Sequence, residues 1–178
     1  CLFNDKIQSL TPVKSSKSGL DKIFHTLGQI MKNAGTARRT ETAKVIHEVA
    51  EKIHRRSLVV LFTDMFDGET DAEPIFNALQ HLKHNHHEIL LFHVYDGKTE
   101  NDFEFENRPH EFIDSETGEK IKLNPGEIRA AFLREQQARH QLIEARCHQL
   151  KIDFIEADVQ KGYKPVLEAY LIKRSKMH

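Results

Sequence analysis

Residues 58–64 consist of Leu-Val-Val-Leu-Phe-Thr-Asp, five consecutive apolar residues followed by Thr63-Asp64. A strand with one buried face alternates apolar and polar side chains, and this run does not alternate. The run is therefore typical of a strand buried on both faces of a parallel sheet. Two further runs, which are mostly apolar, lie at 89–94 and 152–155 and are read as strands of the same sheet.

Helical patterns surround these three runs. Apolar spacing and capping residues place the helices at 18–30, 40–53, 71–82, 124–150 and 162–174. Strand and helix alternate from Leu58 to Arg174, which predicts an α/β fold: a doubly wound, mostly parallel sheet with helices on both faces. Phenylalanines and a turn within 103–123 predict an inserted β-hairpin. We expect one domain over residues 1–178.

The charge balance excludes several classes of function. The 178 residues contain 26 Lys and Arg against 27 Asp and Glu, a net charge of −1. Proteins that bind nucleic-acid phosphates or anionic membranes usually carry a large basic excess, so we expect neither function. No apolar run reaches membrane-spanning length, and the two cysteines are too few for a disulfide framework. These features predict a cytoplasmic protein with no membrane segment.

Asp64 is the first candidate functional residue, because ligands bind outside the carboxyl ends of strands in open α/β sheets. A carboxylate at this position can also simply cap the following turn, and the sequence leaves both interpretations open. An aspartyl phosphotransferase of the haloacid dehalogenase type needs a second Asp two residues later, where Phe66 stands. A metal-dependent hydrolase or phosphotransferase that uses Asp64 and Asp67 remains the alternative function.

A histidine-rich segment offers a second possible metal site. Its members are His81, His84, His86 and His87, at spacings from which a transition metal could recruit imidazoles. The simpler interpretation is a solvated helix end, where His and Lys interact favourably with the helix dipole. His93 lies within an apolar run and is expected to be a hydrogen-bonded core histidine.

The order of several short motifs resembles a known family. Thr40 heads a helix, and a strand ending in Asp64 follows, as in von Willebrand factor A domains. Residues 40–43, 53–65 and 103–109 together resemble the bacterial domain-of-unknown-function family fifty-eight, which is similar to von Willebrand A domains. Members of that family are commonly encoded beside MoxR-type AAA+ ATPases. The resemblance covers essentially the whole chain and also implies a Rossmann-like architecture.

The resemblance implies a metal-ion-dependent adhesion site, built from an Asp-x-Ser-x-Ser loop, a Thr and an Asp. Thr40 and Asp64 match the Thr and the Asp, and Mg²⁺ suits such oxygen ligands. No Asp-x-Ser-x-Ser occurs in the chain. We therefore expect Mg²⁺, or another divalent cation, in the full-length protein, and weak or no binding by these residues alone.

The resemblance to this family also predicts that the chain is a fragment, which lacks a first strand, the helix after it and the metal-binding loop, all of which would precede Cys1. That strand is central in the family, so its absence would leave apolar strand edges unpaired. We expect the sheet to rearrange or its edges to pair with another copy of the chain. The predicted function is a non-enzymatic protein-interaction module without catalytic residues, whose partner would be a protein such as the MoxR-type ATPase.

Overall fold

A computed structural model describes residues 1–3, 6–12, 16–32, 41–64, 72–113 and 118–175. Its strands are β1 (Leu2–Phe3), β2 (Ile7–Ser9), β3 (Leu58–Thr63), β4 (Glu88–Tyr95), β5 (His110–Ile113), β6 (Lys120–Leu123) and β7 (Asp153–Asp158). Its α-helices are α1 (Lys17–Lys32), α2 (Thr42–Lys52), α3 (Glu73–His84), α4 (Pro125–Gln149) and α5 (Tyr163–Ser175). The chain is thus a mixture of helix and strand, as the sequence predicted.

Three parallel strands form the central sheet in the order β3-β4-β7. Val60 pairs with Leu90 across β3 and β4, and Phe92 pairs with Ile155 across β4 and β7. These are the three apolar runs of the sequence, so the predicted parallel sheet is confirmed. In the described part of the chain, β3 has a neighbour on one side only. Strand β1 pairs with β2 in a separate antiparallel hairpin.

Helices α2, α3 and α4 pack on one face of the sheet. The core there contains Leu79 of α3, Leu91 of β4 and Ile143 of α4, each at most 1% exposed. On the opposite face, α5 places Val166 and Tyr170 against a smaller cluster formed by Leu90, Phe92 and Ile155. The sheet is therefore flanked by helices, which is consistent with an α/β fold.

The prediction of burial on both faces is confirmed for β4 and wrong for β3. The four residues 89–92 of β4 are all at most 7% exposed. On β3, Leu58, Val60 and Phe62 point away from the main core and are 44%, 45% and 63% exposed. The reason is that α5 covers the β4–β7 side of this face, and no described element buries the β3 side. We call these three residues the outer face of β3.

The hairpin insertion is confirmed, although its strands are shorter than the predicted range of 103–123. Strands β5 and β6 pair antiparallel, and the turn at 114–117 lies outside the described residues. Phe103 precedes the hairpin and is 6% exposed, with its ring centroid 4.4 Å from that of Phe132 on α4. This aromatic contact ties the insertion to the long helix.

Helix α1 has no buried residue. Its apolar stripe, which includes Phe24 at 63% exposure, is open to solvent in the described structure. The helix begins one residue before the predicted cap Ser18, and the Ser16 hydroxyl accepts a hydrogen bond from the Gly19 backbone N–H at 3.2 Å. None of the helices in the described ranges is long and apolar enough to cross a membrane.

Candidate functional site at the carboxyl end of β3

A cavity of about 750 Å³ lies where β3 ends. Its wall is formed by Thr63 at the end of β3, Asp64 directly after it, Thr42 at the start of α2, and parts of the β1–β2 hairpin and α1. Apolar side chains, among them Phe3, Leu27 and Phe62, line the rest. The position agrees with the expectation that ligands bind outside the carboxyl ends of parallel strands.

The described polar residues of the cavity wall supply one carboxylate and several hydroxyls. Asp64 is exposed, whereas Thr42 is 1% exposed at the base of α2. Further hydroxyls come from Ser9, Thr11, Thr26 and Thr63. The Thr26 hydroxyl donates to the Lys22 backbone carbonyl at 2.8 Å and is engaged within its own helix. The donor atoms at the cavity are therefore mostly oxygens, the atoms that hard cations prefer.

Two other strands also end in carboxylates, and both of these carboxylates cap turns. Asp96 follows β4 and accepts hydrogen bonds from the backbone N–H groups of Lys98 and Thr99, at 3.0 and 3.5 Å. Asp158 ends β7 and accepts from the backbone N–H groups of Gly97 and Gln160, at 3.2 and 2.9 Å. The capping interpretation thus applies to these two carboxylates, whereas Asp64 contributes to the cavity wall.

The environment of Asp158 favours its charged form. Burial acts to raise the pKa of this carboxyl, but the backbone hydrogen bonds from Gln160 and Gly97, with the nearby Lys161, outweigh burial and lower the pKa. Lys161 Nζ lies 3.4 Å from the carboxylate. Asp158 is consequently held as an anion that fixes the turn after β4 against the end of β7.

The predicted metal ligands are only partly within the described structure. Asp64 lies at the cavity, but Thr40 and the alternative catalytic residue Asp67 lie outside the described residues. Thr42, two positions after Thr40, lines the cavity and was not singled out from the sequence. The burial of Thr42 depends on how α2 packs, so the sequence carried no signal that distinguishes it.

The members of the histidine-rich segment lie in different surroundings. His84 and His86 are exposed, and His86 has a positive φ of 63° in the turn before β4. His87 is 2% exposed, and its Nδ1 accepts a hydrogen bond from the Ser57 backbone N–H at 3.2 Å. Burial lowers the pKa of His87 below its ordinary value. His81 instead faces α2, with its Nδ1 3.0 Å from Nδ1 of His47.

No three His, Cys, Asp or Glu side chains are grouped to hold a metal ion within the ranges that the structure describes. The four-histidine cluster therefore does not assemble there as one ligand set. Among the described residues at the cavity, the donor set fits Mg²⁺ in kind, since it offers oxygens, but it includes only one charged ligand, Asp64. A cation with one carboxylate keeps most of its waters and binds weakly.

His93 belongs to a second polar group, at the same end of the sheet and on the face covered by α4. Its ring centroid lies 6.0 Å from that of His140 and 5.5 Å from that of Tyr95. His140 in turn pairs its Nε2 with Glu156 Oε1 at 2.9 Å. The sequence did not single out His140 or Glu156, because their proximity depends on strand register and on where α4 crosses the sheet.

The expected hydrogen bonding of His93 is not fully met. Its Nδ1 is buried and has no hydrogen-bond partner among the residues described. Burial, with a contribution from His140, lowers the pKa of His93, and the backbone and charge of Asp64 oppose this in part. The lowered pKa favours the neutral form of His93.

The comparisons with known proteins give one match. No curated protein and no solved structure matches the chain significantly. The family model described as "Protein of unknown function DUF58" matches residues 1–142. This match covers most of the 178 residues and includes the cavity residues, the central strands β3 and β4 and the hairpin insertion. The chain belongs to the DUF58 family of proteins of unknown function.

Proposed function

We propose that this chain is a non-enzymatic protein-interaction module, and that its partner binds through a divalent cation at the cavity beside β3. The observation that carries the proposal is the position of Asp64, which shares one cavity wall with the hydroxyl-bearing residues Thr42 and Thr63. A hard cation bound by a single protein carboxylate has coordination positions left for an acidic side chain from a partner.

The fold of the module, in this proposal, is the carboxyl-terminal part of a von Willebrand A-like domain with a doubly wound sheet. Support comes from the parallel order β3-β4-β7 and from helices packed against both faces of the sheet. In such a domain Asp64 and Thr40 take the Asp and Thr positions of the adhesion site. The missing charged ligands would then come from an Asp-x-Ser-x-Ser loop upstream in the full-length protein.

The cavity residues have separate roles in this function. Asp64 supplies the negative charge that attracts the cation, and neighbouring threonine hydroxyls supply neutral oxygen lone pairs. The apolar wall, including Phe3 and Leu27, accommodates the aliphatic part of a partner's side chain. None of these residues is required to transfer a proton. We further propose a MoxR-type AAA+ ATPase in the cytoplasm as the partner, with Mg²⁺ as the cation.

The test uses the full-length protein and a MoxR-type ATPase from the same organism. Binding is measured by isothermal titration in Mg²⁺ and again in EDTA, for the wild type, Asp64→Ala and the control Asp102→Ala. Asp102 is an exposed aspartate outside the cavity. We expect EDTA and Asp64→Ala each to weaken binding at least about tenfold, since a charge-assisted contact is lost. The control should bind like the wild type.

Two results would overturn the proposal. The first is binding that is equally tight in EDTA, or unaffected by Asp64→Ala. The second is turnover in a metal-supplemented phosphatase screen that Asp64→Ala abolishes, which would establish the hydrolase or phosphotransferase alternative that uses Asp64 and Asp67. An upstream sequence without Asp-x-Ser-x-Ser would separately contradict the proposed ligand set.

A further inference from the structure

Two histidines from neighbouring helices meet at the surface between α2 and α3. His47 lies on α2 and His81 on α3, and their Nδ1 atoms are 3.0 Å apart. The ring centroids are 5.2 Å apart with a 39° angle between the planes. The two residues are 34 positions apart in sequence, so only the packing of the helices brings them together.

A carboxylate on α2 fixes the outer side of this pair. Glu51 lies one helical turn after His47, and its Oε1 is 3.1 Å from Nε2 of His81. A proton on Nε2 is the one that can be donated to this carboxylate, and a neutral imidazole then carries its lone pair on Nδ1. Glu51 therefore favours the tautomer of His81 whose free lone pair faces His47.

This arrangement has the spacing of a metal chelate. Zinc–nitrogen bonds measure about 2.0–2.1 Å, so two imidazole nitrogens on one tetrahedral or octahedral ion lie roughly 2.9–3.4 Å apart. The observed 3.0 Å falls within that interval. Without metal this contact is a hydrogen bond, which His47 donates when Nδ1 of His81 carries the lone pair; metal binding replaces it once His47 carries its proton on Nε2. Histidines that bind metals almost always donate their second ring N–H to a carboxylate or carbonyl, and Nε2 of His81 lies 3.1 Å from Oε1 of Glu51, within reach of such a contact.

We propose that His47 and His81 form a two-histidine site for a divalent transition metal, with Glu51 as the positioning residue for His81. Imidazole ligands suit Zn²⁺, Ni²⁺ and Cu²⁺ rather than Mg²⁺. The His81 side chain is 30% exposed and that of Glu51 72%, so water can fill the remaining coordination positions. The bound metal joins α2 to α3 and exchanges with solution.

This site differs from the cavity beside β3 and from the histidine-rich segment. The cavity offers oxygen ligands for a hard cation, whereas the His47–His81 pair offers nitrogen ligands. Of the segment 81–87, only His81 takes part. The exposed neighbours His84 and His86 therefore serve as matched controls, since each is a surface histidine close to the pair.

The test is a zinc titration of tag-free protein against a chromophoric chelator. The variants are His47→Ala, His81→Ala, Glu51→Ala and the controls His84→Ala and His86→Ala. Loss of either ligand should weaken the tightest zinc binding at least about tenfold, and loss of Glu51 by roughly tenfold, as for other outer-sphere carboxylates. The controls should stay within about twofold of the wild type. Thermal unfolding in EDTA verifies that each variant is folded.

Copper supplies a second measurement that does not depend on affinity. Electron paramagnetic resonance of the protein with one equivalent of Cu²⁺ should show nitrogen hyperfine coupling from two imidazoles in the wild type and from one in His47→Gln. Zinc affinity that is unchanged in both His47→Ala and His81→Ala would overturn the proposal. The same holds if the controls lose zinc binding, or if the wild type binds none.

Discussion

Strands β3 and β4 are neighbours with almost the same apolar composition, yet they have different surroundings. Val60 and Leu90 are register partners on the same face of the sheet, and they are 45% and 4% exposed. The difference arises because α5 packs over β4 and β7 through Val166 and Tyr170 and does not extend to β3. An apolar run thus indicates that a strand has two apolar faces, but not that both are covered.

The largest expected effect is a direct test of this difference with one substitution in each strand. Leu90→Ala removes a side chain that is 4% exposed and packs against α5, and it should lower the free energy of unfolding by about 2–5 kcal/mol, because it leaves a cavity in the core. Leu58→Ala makes the same chemical change at a position that is 44% exposed and should cost about 1 kcal/mol or less. Urea unfolding followed by circular dichroism measures both.

Equal costs for the two leucines would break the comparison. They would mean that something covers the outer face of β3 in solution, either another part of the full protein or a second copy. A loss of several kcal/mol confined to Leu90→Ala would instead show that this face of the sheet contributes to folding over β4, where α5 covers it, and much less over β3.

The sequence predicted much of the fold, because the signals were local. Three apolar runs and the Pro125 helix start gave strands and helices close to their observed bounds. The predictions that failed depended on contacts between residues that are distant in sequence. The exposure of Val60, for example, can be predicted only by knowing which helix packs over it. The site divides in the same way, since Asp64 was predicted from its place after a strand, whereas Thr42, His140 and the His47–His81 pair required tertiary packing.

The carboxyl ends of β3 and β4 also differ, and a substitution at Gly97, which follows β4, tests that difference. A Cβ added to Gly97 would lie 2.6 Å from Asp158 Oδ2, because β4 closes tightly against β7, whereas β3 ends at an open cavity. We expect Gly97→Ala to cost about 1–3 kcal/mol of stability through overpacking. Gly28→Ala is the matched control, since nothing lies within 4 Å of its added Cβ. It should be neutral or stabilise α1 by up to about 1 kcal/mol. A neutral Gly97→Ala in thermal unfolding would show that Asp158 moves freely.

His87 links the amino ends of β3 and β4, because its Nδ1 accepts a hydrogen bond from the Ser57 backbone N–H. Since His87 can take up a proton, we expect stability to depend on pH. The pKa values of His87 and His93 are both lowered by burial, so the unfolded chain binds more protons just below the ordinary histidine value of 6.5. Stability should therefore fall as the pH is lowered through about 6.5, by at most about 1.4 kcal/mol per pH unit for each proton. His87→Asn keeps an acceptor for the Ser57 N–H and removes one titrating group. Its unfolding free energy should decline less steeply between pH 6.5 and 5, and an unchanged slope would exclude His87 as a source of the acid sensitivity.

The smallest effect on stability is expected at the outer face of β3. Val60→Thr keeps the β-branched shape that strands favour and replaces a methyl group that is already partly solvated, so the free energy of unfolding should change by no more than about 0.5 kcal/mol.

If this face pairs with another copy of the chain, the added hydroxyl is buried without a partner, and association weakens although folding does not. Sedimentation velocity over a range of concentrations separates the two cases. A concentration-dependent mass in the wild type that decreases in Val60→Thr would identify the outer face of β3 as the contact. Leu90→Thr is not an equivalent test, although Leu90 is the register partner of Val60. Leu90 is 4% exposed, so a hydroxyl introduced there would be buried and would destabilise the fold itself. Comparing Val60→Thr with Leu90→Thr therefore distinguishes apolar residues that bind another chain from apolar residues that belong to the core.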